Sequence, residues 1–95
     1  MDDACDMVKV YEGYYWGIER PKRKEMLLSM YDNPMTPKSI SEAMGYKTGS
    51  VTMLIRTLKK KGLIFCLNEE AKRYRLYTLT PLGERVVELI MENEE

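Results

Sequence analysis

The sequence predicts a mainly α-helical domain with one small β-hairpin, and three observations support this fold class. Apolar residues recur at steps of three and four over much of the 95-residue chain, which is the period of a helix face. Thr-Pro pairs begin at Thr36 and Thr80, and each suits a helix start with a hydroxyl cap followed by proline. Two short runs of strand-forming residues flank a polar segment between residues 63 and 79. We expect a single domain over residues 1–95, since so short a chain forms one core.

The predicted elements follow in order along the chain. Pro21 suits the first turn of the second helix, whereas Gly45 and Gly62 end the third and fourth helices. Thr48 is expected to cap the fourth helix. The third and fourth helices are joined by a turn so short that they must cross steeply, which predicts a helix-turn-helix. We place helices at about 4–18, 21–32, 37–44, 49–61 and 81–92, and strands at about 63–67 and 74–79.

Composition narrows the class of function. No apolar run reaches the roughly 18 residues that span a bilayer, and the chain begins with an acidic segment, so we expect a cytoplasmic protein with no membrane partner. Histidine is absent, and the sequence offers no nucleophile with a base and no glycine-rich phosphate loop, which argues against an enzyme. Cys5 and Cys66 form no metal-binding pattern, so neither a metal nor another cofactor is expected. Both are expected to be reduced thiols, with a bridge between subunits through Cys5 as the alternative.

Charge is zero in sum but uneven along the chain. Residues 47–75 carry 8 Lys/Arg against 2 Asp/Glu, whereas residues 1–46 carry 6 against 8 and residues 76–95 carry 1 against 5. A neutral total therefore permits one strongly basic face, which is typical of a protein that binds nucleic acid. The alternative for Lys59, Lys60 and Lys61 is that they solvate a helix end and complement its dipole.

The fourth helix has an outward face without a single carboxylate. Burial of Val51, Leu54, Ile55 and Leu58 leaves small hydroxyl residues at its start and a basic end, a combination that suits the DNA major groove. The alternative is that Ser50 and Thr52 serve only the helix start and that Arg56 is an ordinary surface residue. The residues predicted to contact DNA are Thr48, Gly49, Ser50, Thr52, Met53, Arg56, Thr57 and Lys60.

The hairpin supplies a second predicted contact. Lys72, Arg73 and Arg75 lie where its tip should project beside the fourth helix, and exposed cations suit the negative potential of a minor groove. Glu69 and Glu70 weaken this prediction, because they can pair with the same cations at rest.

The order of elements resembles the winged helix-turn-helix fold, and local patterns from Met35 to Val86 resemble the multiple-antibiotic-resistance regulator (MarR) family. The matching segments are Ser50-Val51-Thr52, Leu58-Lys59-Lys60-Lys61-Gly62-Leu63-Ile64 and Leu79-Thr80-Pro81-Leu82-Gly83. Ala71-Lys72-Arg73 departs from the Asp-Arg-Arg that the family tends to carry in its wing. The resemblance implies a homodimer with two recognition helices in successive major grooves, roughly 34–36 Å apart. The flanking helices are short here, so the sequence does not identify a small-molecule effector.

Terminal segments 1–18 and 81–95 are the predicted dimerisation segments. Met7, Val8, Tyr11, Tyr15 and Ile18 form an apolar stripe on the first helix, and such a stripe needs a cover. The alternative is that it packs on its own domain. The predicted interface residues are Met7, Val8, Tyr11, Tyr15, Leu89 and Ile90.

Two functions from different classes remain open at this point. The first is a sequence-specific regulator of transcription that binds double-stranded DNA. The second is a winged-helix module that uses the same surface to bind another protein in a larger assembly, because a fold alone does not separate the two.

Overall fold

The structure, a computed structural model, describes residues 6–93. In chain order the elements are α1 (Met7–Ile18), α2 (Pro21–Ser29), α3 (Pro37–Met44), α4 (Thr48–Lys60), β1 (Ile64–Cys66), β2 (Tyr77–Leu79) and α5 (Pro81–Glu92). The predicted fold class and order of elements are confirmed. The predicted start of the first helix at Ala4 and the bridge through Cys5 lie outside the described residues, as do residues 94 and 95. None of the helices described is long and apolar enough to cross a membrane.

Both Thr-Pro pairs begin helices as predicted. The Thr36 hydroxyl accepts a hydrogen bond from the Ser39 amide at 3.1 Å, while the Ser39 hydroxyl accepts one from the Thr36 amide at 2.8 Å. The Thr80 hydroxyl accepts from the Gly83 amide at 3.0 Å and donates to the Gly62 carbonyl at 2.6 Å. The second bond ties the start of α5 to the turn that follows α4.

Two helix boundaries differ from the prediction. The second helix ends at Ser29 rather than at residue 32, because Met30 already leaves the helical conformation with a ψ of 1°. Asp32 then adopts a left-handed conformation with a φ of 53°. The Asn33 side-chain amide then donates to the Ser29 carbonyl at 3.1 Å and satisfies that helix end. The predicted capping role of Thr48 is wrong. Lys47 holds the N-cap position in an extended conformation, and Thr48 is already the first helical residue.

The hairpin is antiparallel and shorter than predicted. Ile64 pairs with Leu79 and Cys66 with Tyr77, and the predicted outer residues of both strands lie outside the sheet. Tyr74, predicted to begin the second strand, has a φ of 56° that a strand does not tolerate. Tyr77 also exchanges two backbone hydrogen bonds with Met35, at 2.8 and 2.9 Å, which fixes the hairpin against the segment before α3.

One core joins all five helices and the hairpin. Helix α1 packs on α5 so closely that a Cβ at Gly13 would lie 2.8 Å from Val86 Cγ2, which explains a glycine inside a helix. Ile90 is 1% exposed and packs in the same core, so its predicted place in a dimer interface is wrong: it lies on the inward face of α5. The side chains exposed by less than 2% are Met26, Leu27, Met30, Ile40, Val51, Leu58, Leu63, Ile64, Val86, Val87 and Ile90.

Candidate nucleic-acid interface

Helix α4 buries one face and presents the opposite face to solvent, as its sequence predicts. Val51, Ile55 and Leu58 are buried in the core. Of the eight residues predicted to contact DNA, Ser50 and Thr57 are only half-exposed, because they lie on the flank of α4 that faces α2 and α3. The six exposed residues are Thr48, Gly49, Thr52, Met53, Arg56 and Lys60. Met53 is 58% exposed, an unusual degree for a methionine in a folded domain.

The N-terminus of α4 lacks a side-chain cap. Lys47 occupies the cap position and makes no side-chain hydrogen bond to the first turn. The carbonyl of Lys47 accepts from the Val51 amide at 3.1 Å, which leaves the amides of the three residues before Val51 directed outward. Uncapped amides at the positive end of a 13-residue helix favour an anion.

The hydroxyls on α4 bond back to their own helix. Thr52 Oγ1 donates to the Thr48 carbonyl at 3.0 Å, and Thr57 Oγ1 donates to the Met53 carbonyl at 2.9 Å. Neither hydroxyl caps an amide of the first turn, although the Thr52 bond does reach the first residue of the helix. Both oxygens keep lone pairs as acceptors for a partner.

The wing loop between β1 and β2 is held by one asparagine. Asn68 Oδ1 accepts from the Leu76 amide at 2.7 Å, and Asn68 Nδ2 donates to the Tyr74 carbonyl at 3.2 Å. Arg75 Nε donates to the Ala71 carbonyl at 2.7 Å, which fixes the arginine across the loop. Two backbone bonds add to this order: the Leu67 amide donates to the Leu76 carbonyl at 2.7 Å, and the Ala71 amide donates to the Asn68 carbonyl at 2.9 Å.

Charges at the wing tip are open to solvent. Lys72 and Arg73 are exposed, as predicted. The ion pairs by which Glu69 and Glu70 could have neutralised the neighbouring cations do not form within residues 6–93. The tip thus keeps its positive charge available.

A basic groove separates α4 from the wing. Its volume is about 460 Å³. The residues that line it are Thr52, Ile55, Arg56, Lys59, Lys60, Arg75 and Tyr77. Four of the seven are cations, and among the described residues none that lines this groove carries a carboxylate. A low-dielectric wall with charge of one sign concentrates the potential, so the groove attracts anions.

Lys59 lines this groove but was not among the residues predicted to contact DNA. Lys59 follows Thr52 by seven residues, about two helical turns, so the two side chains lie on the same flank of α4, the one that faces the wing. This spacing could have identified Lys59 from the sequence. Lys61 behaves differently, because its ammonium lies 5.2 Å from the centre of the Trp16 ring. The three lysines therefore differ in position: Lys59 and Lys60 line the groove, whereas Lys61 lies against Trp16 of α1.

The apolar stripe of α1 is exposed. Tyr15 is 64% exposed and Tyr11 45%, and Met7, Val8 and Ile18 are likewise exposed, so residues 6–93 do not cover the stripe. Its inward neighbours, among them Val10, face α5 instead. Leu89 of α5 is half-buried and lines a shallow groove with Met7.

Among residues 6–93 no group of three or more His, Cys, Asp or Glu side chains is placed to hold a metal ion. Cys66 is buried beneath the wing, with Sγ 3.5 Å from Asn68 Oδ1.

The protein is similar to known proteins in structure but not detectably in sequence. No protein-family profile matches the sequence, and no curated protein sequence matches it significantly. Solved structures of transcriptional regulators do match. The regulator Tm0710 from Thermotoga maritima is 28% identical with a TM-score of 0.71, over 93% of this chain and 64% of that one. MepR from S. aureus, in its complex with DNA, is 21% identical with a TM-score of 0.71, over 92% of this chain and 74% of that one.

A variant of ZitR from Lactococcus lactis is 20% identical with a TM-score of 0.66, and the match covers 73% of this chain. Here the chain spans about half the length of its neighbour, 48%. The fold is therefore that of the winged helix-turn-helix regulators, and the resemblance to the MarR family is confirmed at the level of the fold.

Proposed function

We propose that this protein is a transcriptional regulator of the cytoplasm that binds specific sequences of double-stranded DNA. Helix α4 lies in the major groove, and the wing lies in the adjacent minor groove. The observation that carries the proposal is the basic groove, in which Arg56, Lys59 and Lys60 of α4 face Arg75 of the wing. Two separate elements direct cations toward one space, and the phosphate backbone is the partner that such a space fits.

The exposed face of α4 carries the contacts to bases. Arg56 has the length and donor pairs to bond O6 and N7 of guanine, and Met53 offers an apolar contact for a thymine methyl. Gly49, which has open space where a Cβ would stand, and Ser50 at the uncapped helix start admit a phosphate close to the backbone amides. Thr48, Thr52, Thr57 and Lys60 complete the contact surface.

Phosphate and minor-groove contacts come from the wing. Lys72 and Arg73 are exposed at its tip without ion pairs to the described residues, so their charges are free to meet DNA. Arg75 is anchored by its bond to Ala71 and directs the rest of its guanidinium along the groove.

Similarity to MepR, whose structure was solved in complex with DNA, and to the transcriptional regulator Tm0710 supports this function. A salt titration of duplex binding tests it. Affinity measured by fluorescence anisotropy should fall steeply between 50 and 200 mM salt, with a slope of about −0.9 per phosphate contact. Equal binding at both salt concentrations would contradict the proposal and would favour the protein-interaction module instead.

The protein acts as a homodimer through the α1 stripe. Met7, Val8, Tyr11 and Tyr15 form a continuous apolar surface that its own domain leaves uncovered, and Leu89 lies at its edge. The same stripe of a second copy can pack against it, because a two-fold axis places identical surfaces face to face. Two copies then present two α4 helices to successive turns of one DNA face.

The dimer has its own test. Tyr15→Glu places a charge in the stripe and should convert the dimer to a monomer in sedimentation velocity. Tyr74→Glu is the matched control, since Tyr74 is an exposed tyrosine in the wing. A wild-type protein that sediments as a monomer at high concentration would exclude this interface.

A further inference from the structure

A second basic cleft lies on the other flank of α4, on the side away from the wing. Its volume is about 610 Å³. It is bounded by Arg20, Lys22 and Arg23 at the start of α2, by Tyr46 in the turn before α4, and by Leu54 and Thr57 of α4 itself. No carboxylate lines this cleft within the described residues. Helix α4, the proposed recognition helix, is thus bordered by positive charge on both sides.

The three cations of this cleft are not equivalent. Arg23 Nη1 donates to the Trp16 carbonyl at 2.9 Å and lies 3.4 Å from Glu19 Oε1, and its guanidinium lies 3.9 Å from the centre of the Trp16 ring. Its charge is therefore occupied in joining α2 to α1. Arg20 is exposed, and its guanidinium makes no hydrogen bond or ion pair with residues 6–93.

Lys22 is placed by Tyr46. Its ammonium lies 4.9 Å from the centre of the Tyr46 ring. The ring is itself fixed, because its hydroxyl donates to Glu25 and the Tyr46 carbonyl accepts from the Ser41 hydroxyl at 2.6 Å. Tyr46 directly precedes Lys47, the N-cap of α4, so Lys22 is held beside the start of the recognition helix.

We propose that Arg20 and Lys22 form a second phosphate-binding flank, which contacts the DNA strand on the wall of the major groove opposite to the wing. This inference rests on the proposed DNA binding through α4. A helix in the major groove has a phosphate backbone on each side, and the wing accounts for only one of them. An unpaired guanidinium and an ammonium on a fixed aromatic ring suit phosphate oxygens. Because phosphates carry no sequence information, this flank contributes affinity and orientation rather than specificity.

Duplex binding by the double variant Arg20→Gln/Lys22→Gln tests the inference. Fluorescence anisotropy is recorded over a salt series, with one duplex that contains a selected site and one of scrambled sequence. Loss of two phosphate contacts in each protomer should make the salt slope shallower by about 1.8 per bound protomer. The ratio of affinities for the two duplexes should stay at the wild-type value, and so should the thermal unfolding midpoint, since both side chains are on the surface.

Lys9→Gln is the matched control for Lys22→Gln. Lys9 is an exposed lysine on α1 that lines neither of the two basic clefts, and its loss removes the same charge. The inference predicts a slope shallower by about 0.9 per bound protomer for Lys22→Gln and an unchanged slope for Lys9→Gln. If the wild type binds with a steep slope and the double variant retains that slope, the second flank is overturned while DNA binding stands. If the wild type shows no salt-dependent binding, both proposals fail.

Discussion

Arg56 and Arg75 line the same groove although they belong to different elements, the recognition helix and the wing. Each is held in place locally: Arg56 Nη1 lies 4.0 Å from Met53 Sδ, and Arg75 Nε donates to the Ala71 carbonyl at 2.7 Å. Two like charges that face one space repel each other until an anion enters. The groove is therefore arranged for an anionic partner before that partner arrives.

Replacement of Arg56 by alanine should lower both affinity and sequence preference for duplex DNA. Loss of a bidentate contact to guanine is expected to cost about 1–3 kcal/mol and to relax specificity at one base pair. Arg73→Ala is the comparison, because a wing contact to the backbone should weaken all duplexes about equally. Competition binding with a set of single-base variants of the site measures both effects. Retention of full affinity and specificity in Arg56→Ala would remove Arg56 from the interface.

The wing should lose its order when Asn68 is replaced by alanine. The Asn68 side chain accepts a hydrogen bond from the Leu76 amide and donates one to the Tyr74 carbonyl. The substitution removes both hydrogen bonds. We expect the free energy of unfolding to fall by about 1–3 kcal/mol and DNA affinity to fall with it. Urea unfolding measures the first quantity. Glu69→Ala is the control in the same loop and should change stability by less than about 0.5 kcal/mol. Equal effects of the two substitutions would show that Asn68 does not organise the loop.

Two glycines should respond in opposite ways to alanine. A Cβ at Gly83 would overlap the Leu63 carbonyl oxygen, whereas a Cβ at Gly49 meets nothing within 4 Å. Gly83→Ala should therefore destabilise the fold by about 1–3 kcal/mol or more. Gly49→Ala should stabilise α4 by up to about 1 kcal/mol, and yet weaken DNA binding because the methyl keeps the backbone away from the phosphate. Thermal unfolding and anisotropy separate the two effects. A Gly49→Ala protein with unchanged affinity would argue against close approach at the helix start.

Much of this fold follows from local signals in the sequence. Helix caps such as Thr36 and Thr80, and the periodic apolar positions of α4, are local signals that act within one or two turns. They predict helices without any knowledge of which elements those helices pack against. The surface of α4 follows from the same periodicity, since burial of Val51, Ile55 and Leu58 determines what remains outside. Arg56 and Lys60 could therefore be identified from the sequence.

The rest depends on contacts between distant residues. The sequence does not reveal that the Asn68 side chain bonds both Leu76 and Tyr74 across the wing, because its partners depend on how the loop closes. Ile90 looks equivalent to Leu89 in the sequence, and only the packing of α1 on α5 separates a core residue from a surface one. The second basic cleft lies between the start of α2 and α4, with Tyr46 at its edge. These elements meet only in the folded protein, so the periodicity of the sequence does not reveal the cleft.

Stability at high pH should depend on Tyr46. Its hydrogen bond to Glu25, then partial burial, then the charge of Glu25 raise the pKa of Tyr46 above 10.0. A raised pKa means that the folded state favours the protonated phenol. This contribution is fully present below about pH 10 and is lost as the pH rises through the folded pKa.

The difference in free energy of unfolding between wild type and Tyr46→Phe should therefore be constant between about pH 7 and pH 9 and shrink above pH 10. Urea unfolding over that range measures it, with Tyr74→Phe as the control for loss of an exposed phenol. A difference that does not change with pH would contradict a role for this hydrogen bond.

The most direct test of the account is to map the DNA contact on the protein. Amide chemical shifts of ¹⁵N-labelled protein are followed by NMR while duplex DNA is added. We predict that the largest changes fall on residues 47–60, on the wing from Lys72 to Arg75 and at the start of α2, with small changes in the helices that form the proposed dimer. Changes concentrated on the α1 stripe, or no changes at all, would contradict the claim that the exposed face of α4 binds the double helix.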